Sequence, residues 1–130
     1  MNKKGELGPT IEEIKEIIEN GNFDEFVDKI EGNYFEAKQE RPYRIESSDK
    51  DEKFLARIEL AGDVVAIANA GGGYIVCGLA TKVEKELQTD KVSSMKVFEK
   101  TTFYTKTEVE EVINAHVYPK LEIDVNWHPY

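Results

Sequence analysis

Cysteine, histidine and long apolar runs are almost missing from this chain of 130 residues, and each shortage excludes something. Cys77 stands alone, so no disulfide can form within the chain, and its place in an apolar run reads as a small core residue. His116 and His128 are the only histidines, and neither lies in a Cys or His cluster with metal-ligand spacing; both read as surface or helix-end residues. No stretch approaches the roughly 20 continuous apolar residues of a membrane span, and Met1-Asn-Lys-Lys-Gly5 lacks the apolar core of a signal peptide, so a cytoplasmic protein without membrane contact is expected. There is no Gly-x-Ser-x-Gly, no phosphate-loop lysine motif and no Cys-His pairing, which removes the usual hydrolase and kinase signatures. Basic residues are also scarce. Lys and Arg number 17 against 26 Asp and Glu, a net charge of −9 that opposes whole-surface adhesion to nucleic acid.

With 40% hydrophobic and 33% charged residues, the chain reads as one globular domain over 1–130, its first 30 residues forming an N-terminal helical segment. Thr10-Ile-Glu-Glu13 is a capping box, and Ile11, Ile14, Ile17 and Ile18 make an apolar stripe that ends at Asn20-Gly21. A second short helix is expected from an Asn22 to Glu25 cap, with Phe23, Phe26, Val27 and Ile30 inward. Tyr34 to Lys38 alternates as a strand, with Phe35 and Ala37 on the core face and Tyr34, Glu36 and Lys38 on the other. A loop around Pro42 leads to a helix capped near Ser48 or Asp49, whose Phe54, Ile58, Ala61, Val65 and Ala68 predict a central, well-buried element. Further on, Val83 to Leu87 reads as a hairpin strand, Thr89 to Ser94 as a turn, and Met95 to Tyr104 as a strand or loop. A Thr107-Glu-Val-Glu110 box predicts a last helix stopped by Pro119, and Leu121 to Val125 alternates as a strand. That strand sits close enough to the end to suggest that the natural protein continues. The fold class expected is mixed α/β (α+β), a small sheet packed against helices.

The most informative stretch is Gly62 to Leu79, where an apolar helix end runs into Gly71-Gly72-Gly73 and then into Tyr74-Ile-Val-Cys-Gly78. Asn69 is expected to end the helix in the left-handed conformation, and the three glycines to make a tight structural turn. A phosphate-cradling loop runs from strand into helix; here the order is reversed and the helix C-terminus disfavours anions, which argues against nucleotide binding. Upstream lies Glu31-x-x-x-x-Glu36-x-Lys38. Glu36 and Lys38, about 7 Å apart by strand rise, can form a surface ion pair, contact nucleic acid or serve a metal.

Taken together, Glu31-x-x-x-x-Glu36-x-Lys38 and Ala66-Ile-Ala-Asn69-Ala-Gly-Gly72-Gly73-Tyr-Ile-Val-Cys-Gly78 resemble the divergent Alba-type domain (AlbA_2) linked with DNA binding, also found in the core of Schlafen proteins. The specific similarity covers residues 31 to 78, with a looser echo at Pro119-x-Leu121. The resemblance implies a mixed α/β fold and association with nucleic acid, often beside transcriptional regulatory regions. Some Schlafen members cut structured RNA with a metal held by three acidic residues, and Glu31 and Glu36 fall on the first two positions. The third is expected just after Gly78, where this chain has Leu79, Ala80 and Thr81. Asp63 or Asp90 could substitute only if the fold brings them close.

Three functions are therefore expected to compete. The first is a nucleic-acid-binding regulatory domain, not itself an enzyme and without a cofactor, in which Lys38, Arg41, Arg44 and Lys53 contact phosphates of DNA or RNA. The second is a metal-dependent nuclease with Glu31, Glu36 and Lys38 as catalytic residues and Mg²⁺ or Mn²⁺ held by Glu31 and Glu36. The third is a protein-interaction domain without nucleic acid. Assembly into a homo-oligomer is compatible with each, and Trp127, His128 and Tyr130 offer either an aromatic platform for a base or a cap on the core.

Overall fold

Local capping signals set most of the helix boundaries in the computed structural model, which describes residues 8–39, 43, 45, 47–96, 105–117 and 121–128. Thr10 Oγ1 accepts the Glu13 N–H at 3.1 Å and Glu13 returns a carboxylate oxygen to the Thr10 N–H at 3.4 Å. Helix α1 (Ile11–Asn20) starts there, buries Ile14 and Ile17 and stops at Gly21. The next helix is only a 3-10 turn, Phe23–Phe26, and Asn22 makes no side-chain cap. One turn suffices to bury Phe26 against Phe35, with ring centroids 5.5 Å apart.

Strand β1 (Phe35–Lys38) alternates as the sequence predicts, Phe35 and Ala37 inward. It pairs in parallel with β2 (Tyr74–Cys77), Lys38 opposite Cys77. Parallel neighbours require a long crossover, and helix α2 (Lys50–Asn69) supplies it. Asp49 caps α2 by accepting the N–H groups of Asp51 and Glu52 at 2.9 and 3.0 Å. The buried side of α2 is Ala56, Leu60 and Ala61, whereas Phe54 and Ile58, expected inside, are 59% and 46% exposed. Apolar residues occupy two sides of this helix, so periodicity alone cannot say which side meets the core.

The turn after α2 is a Schellman motif. Gly72 N–H donates to Ile67 O and Gly71 N–H to Ala68 O, both at 3.0 Å. The left-handed position falls on Gly71 (φ +100) rather than on Asn69, which is still helical. At Gly73 (φ +153), a Cβ would meet Tyr34 O at 2.5 Å. Only glycine lets the corner close onto β1, and Tyr74 N–H then donates to Tyr34 O at 2.8 Å.

Beyond Gly78 come β3 (Leu79–Glu84) and β4 (Thr89–Met95), antiparallel and joined by a turn at 85–88. The polar run expected to be a turn, Thr89 to Ser94, is thus a strand; its inward residues Thr89 and Val92 are enough to fix a half-exposed ladder. Residues 28 to 31 extend this sheet, Glu31 N–H donating to Asp90 O at 3.0 Å. Gly78 ties the two sheets together, giving its N–H to Lys38 O at 2.8 Å and accepting Lys96 N–H at 2.6 Å. Helix α3 (Lys106–His116) is capped by Thr105, two residues before the expected box, and buries Val112 and Ile113. Leu121 to His128 keeps its alternation of half-buried and exposed residues but, among the described residues, joins no strand ladder. With β2 it lines a cavity of about 1070 Å³. Pro119 lies outside the described residues.

Two cores result. One joins Tyr43, Ile45, Ala56, Leu60, Ala61, Val112 and Ile113; the other joins Ile14, Ile17, Phe26, Phe35, Ala37, Leu79 and Val92. The β1–β2 pair lies between them, Ile75 and Cys77 packing toward the first and Tyr74 and Val76 toward the second. The mixed α/β class expected from the sequence is the architecture seen. No helix among the described residues is long and apolar enough to cross a membrane.

Candidate functional site

Alternation on β1 puts Glu36 and Lys38 on the face toward the first core, and the crossover lays α2 beside them. Glu59 and Asp63, one helical turn apart, share the side of α2 that meets this face. Lys38 Nζ consequently lies 3.3 Å from Asp63 Oδ2, 3.4 Å from Glu59 Oε1 and 3.6 Å from Glu36 Oε1. It also lies 5.7 Å from the centre of the Tyr43 ring. The Tyr43 hydroxyl donates to Asp63 Oδ2 at 2.6 Å, and Cys77 sits across the ladder from Lys38.

The Lys38 side chain is 20% exposed, so the ammonium reaches solvent along one side only. Burial by itself would lower its pKa. The charge and hydrogen bond of Asp63, then the charges of Glu36 and Glu59, outweigh that and hold it above the usual lysine value. Burial pushes the Tyr43 phenol far up, and its bond to Asp63 adds to the effect. The Cys77 thiol is raised to about 11, chiefly by burial, with Lys38 opposing and Asp63 assisting. The cluster thus sets an ammonium and two groups that hold their protons tightly, the Tyr43 phenol and the Cys77 thiol, beside the side chains of Glu36, Glu59 and Asp63.

Glu31 is spent differently. Only 4% exposed, it accepts the Ala37 N–H on Oε2 at 2.8 Å and so fastens the chain before β1 to β1 itself. Asp90 lies in the β3–β4 hairpin opposite Val83, while Asp63 does approach Glu36 through the shared Lys38. Leu79, directly after Gly78, is a core residue with 1% exposure. Among the described residues, no group of three or more His, Cys, Asp or Glu side chains is arranged to hold a metal ion. An ammonium already occupies the point that Glu36, Glu59 and Asp63 share. As arranged, these residues do not fit Mg²⁺ or Mn²⁺.

Of the expected phosphate contacts, Lys38 is in the cluster and Lys53 lies half-buried near the start of α2. Among the described residues no ion pair links Lys53 to that cluster. Arg41 and Arg44 lie outside the described residues. Glu59 and Tyr43 were not singled out from the sequence. The four-residue spacing of Glu59 and Asp63 signals a shared helix side, but nothing in the sequence assigns that side to Lys38.

The model of the Schlafen AlbA_2 family matches residues 31–129, from the buried glutamate through β1, the crossover helix and both sheets. The chain belongs to this family. No curated protein and no solved structure shows a significant match to it. In this Schlafen AlbA_2 chain, α1 and the 3-10 turn precede the matched region and pack beneath β1.

Proposed function

We propose that this Schlafen AlbA_2 domain is a nucleic-acid-binding regulatory module that grips the sugar-phosphate backbone of DNA or RNA at the open end of β1 and the start of α2. The supporting observation is the placement of the Glu36-x-Lys38 pair: Lys38 stands at the solvent margin, on a strand aligned with the ribbon leaving the glycine corner. Lys38 and Lys53, with Arg41 and Arg44, are the proposed phosphate contacts, and Glu31 and Gly71 to Gly73 keep the structural parts assigned above.

Electrostatics give this reading a specific sign. A phosphate approaching Lys38 competes with three carboxylates, so binding is expected to be weak and to require one of them to move away. Glu59, whose side chain is 54% exposed, is the freest to do so. Nucleic-acid affinity measured against salt concentration tests this. Lys38→Ala should weaken binding and reduce the salt slope by about one, while Glu59→Gln should tighten it several-fold. No retention at low salt, or no response to either substitution, would sink the proposal. Cleavage dependent on Mg²⁺ or Mn²⁺ and lost in Glu36→Gln would replace it with the nuclease reading.

A further inference from the structure

The outward side of α2 has no partner within the described fold. Phe54, Leu55 and Ile58 are 59%, 65% and 46% exposed, and the same side continues through Gly62, Val65 and Ala66 to Asn69. Asp51, Leu55, Ile58, Gly62, Val65 and Asn69 recur at alternating steps of four and three, which is the seam of a two-helix coiled coil. This seam lies away from the Ala56, Leu60 and Ala61 side that meets the core.

Gly62 supplies a second and separate observation. It sits inside a 20-residue helix, where glycine costs about 1 kcal/mol relative to alanine. A Cβ placed there would meet nothing within 4 Å, so packing inside the molecule does not require it. A helix approaching from outside would. Bulky exposed residues occupy the first half of the seam and small ones the second, so the surface complements itself when run against a copy in the opposite direction.

We infer that α2 pairs antiparallel with α2 of a second copy, Ile58 of each seated on Gly62 of the other. A two-fold axis beside residue 60 then sets Leu55 against Val65 and lets the Asn69 amide donate to Asp51. The polar pair closes each end of the seam and fixes its register, since a slip by one heptad would bury Asp51 against apolar residues. The helix is about 30 Å long, which places the interface at the small end of specific ones and its affinity on the order of micromolar. Each copy carries −9, so added salt should strengthen the association, opposite to its effect on nucleic-acid binding.

Sedimentation equilibrium of the full chain over a range of concentration and salt tests this. The expected result is a reversible dimer favoured by salt and lost in Ile58→Glu. Gly62→Leu should raise the dissociation constant roughly tenfold or more by overpacking, although leucine is the better helix former and leaves the monomer at least as stable to heat. In a Cys77→Ser background, Asp51→Cys with Asn69→Cys should oxidise to a covalent dimer that neither single replacement gives. A monomer under all conditions, or a dimer indifferent to Ile58→Glu and Gly62→Leu, would overturn the inference, as would cross-linking by either cysteine alone.

Discussion

Lys38 is held by more negative charge than it can neutralise, and the consequences can be read at its neighbours. Its ammonium is what draws the Cys77 thiol down against burial, so Lys38→Met should push that thiol further above its value of about 11. Alkylation of Cys77 by iodoacetamide should therefore be slow at neutral pH, accelerate toward pH 11, and be slower still in Lys38→Met at every pH below that. An unchanged rate would mean that the two groups do not sense each other. Tyr43→Phe keeps the ring near the ammonium and removes the donor to Asp63. Loss of this short hydrogen bond to a carboxylate should cost about 2 kcal/mol in urea denaturation.

At the level of elements, the corner between α2 and β2 depends on different glycines for different reasons. Gly73→Ala would drive a methyl group into the Tyr34 backbone, which cannot move without parting β1 from β2; a loss of at least ~3 kcal/mol is expected. Gly72→Ala meets open space and strains only its own dihedral angle (φ +106), so about 1 kcal/mol is expected. Equal losses for the two would refute the close-approach argument. Much of this architecture is legible in the sequence: the Thr10 box, the Asp49 cap, the alternation of β1 and the glycine corner are local signals carried by a few residues each. The side of α2 that is buried, the strand at Thr89 to Ser94 and the convergence of Glu59, Asp63 and Tyr43 on Lys38 are not legible. They depend on which surfaces meet after the crossover, and an alternating polar strand or a helix apolar on two sides reads equally well either way. Glu31 shows the converse. Its position in a motif was plain, but its hydrogen bond to Ala37 was not.

The molecule as a whole inherits an alkaline sensitivity from the cluster. Lys38, Tyr43 and Cys77 have folded-state pKa values raised above their ordinary 10.5, 10.0 and 9.0. Above pH 9 the folded chain therefore keeps protons that the unfolded chain releases. The stability these groups contribute is complete below that pH and falls as pH rises through their folded values. Denaturation midpoints should be level through mildly alkaline pH and then decline, with a shallower decline in Tyr43→Phe. A steeper decline in that variant would reverse the assignment.

The parallel pairing of β1 with β2 also has a consequence for synthesis on the ribosome. Translation completes β1 long before the crossover helix and glycine corner that supply its neighbour, so the Glu-x-Lys strand leaves the exit tunnel with no ladder to join. Until Tyr74 to Cys77 have followed it, Phe35 and Ala37 lack their sheet and must rest on the helical segment at the front of the chain, which is already made. Nascent chains halted before and after Tyr74 to Cys77 have cleared the tunnel should differ sharply in how fast a protease cuts near Lys38.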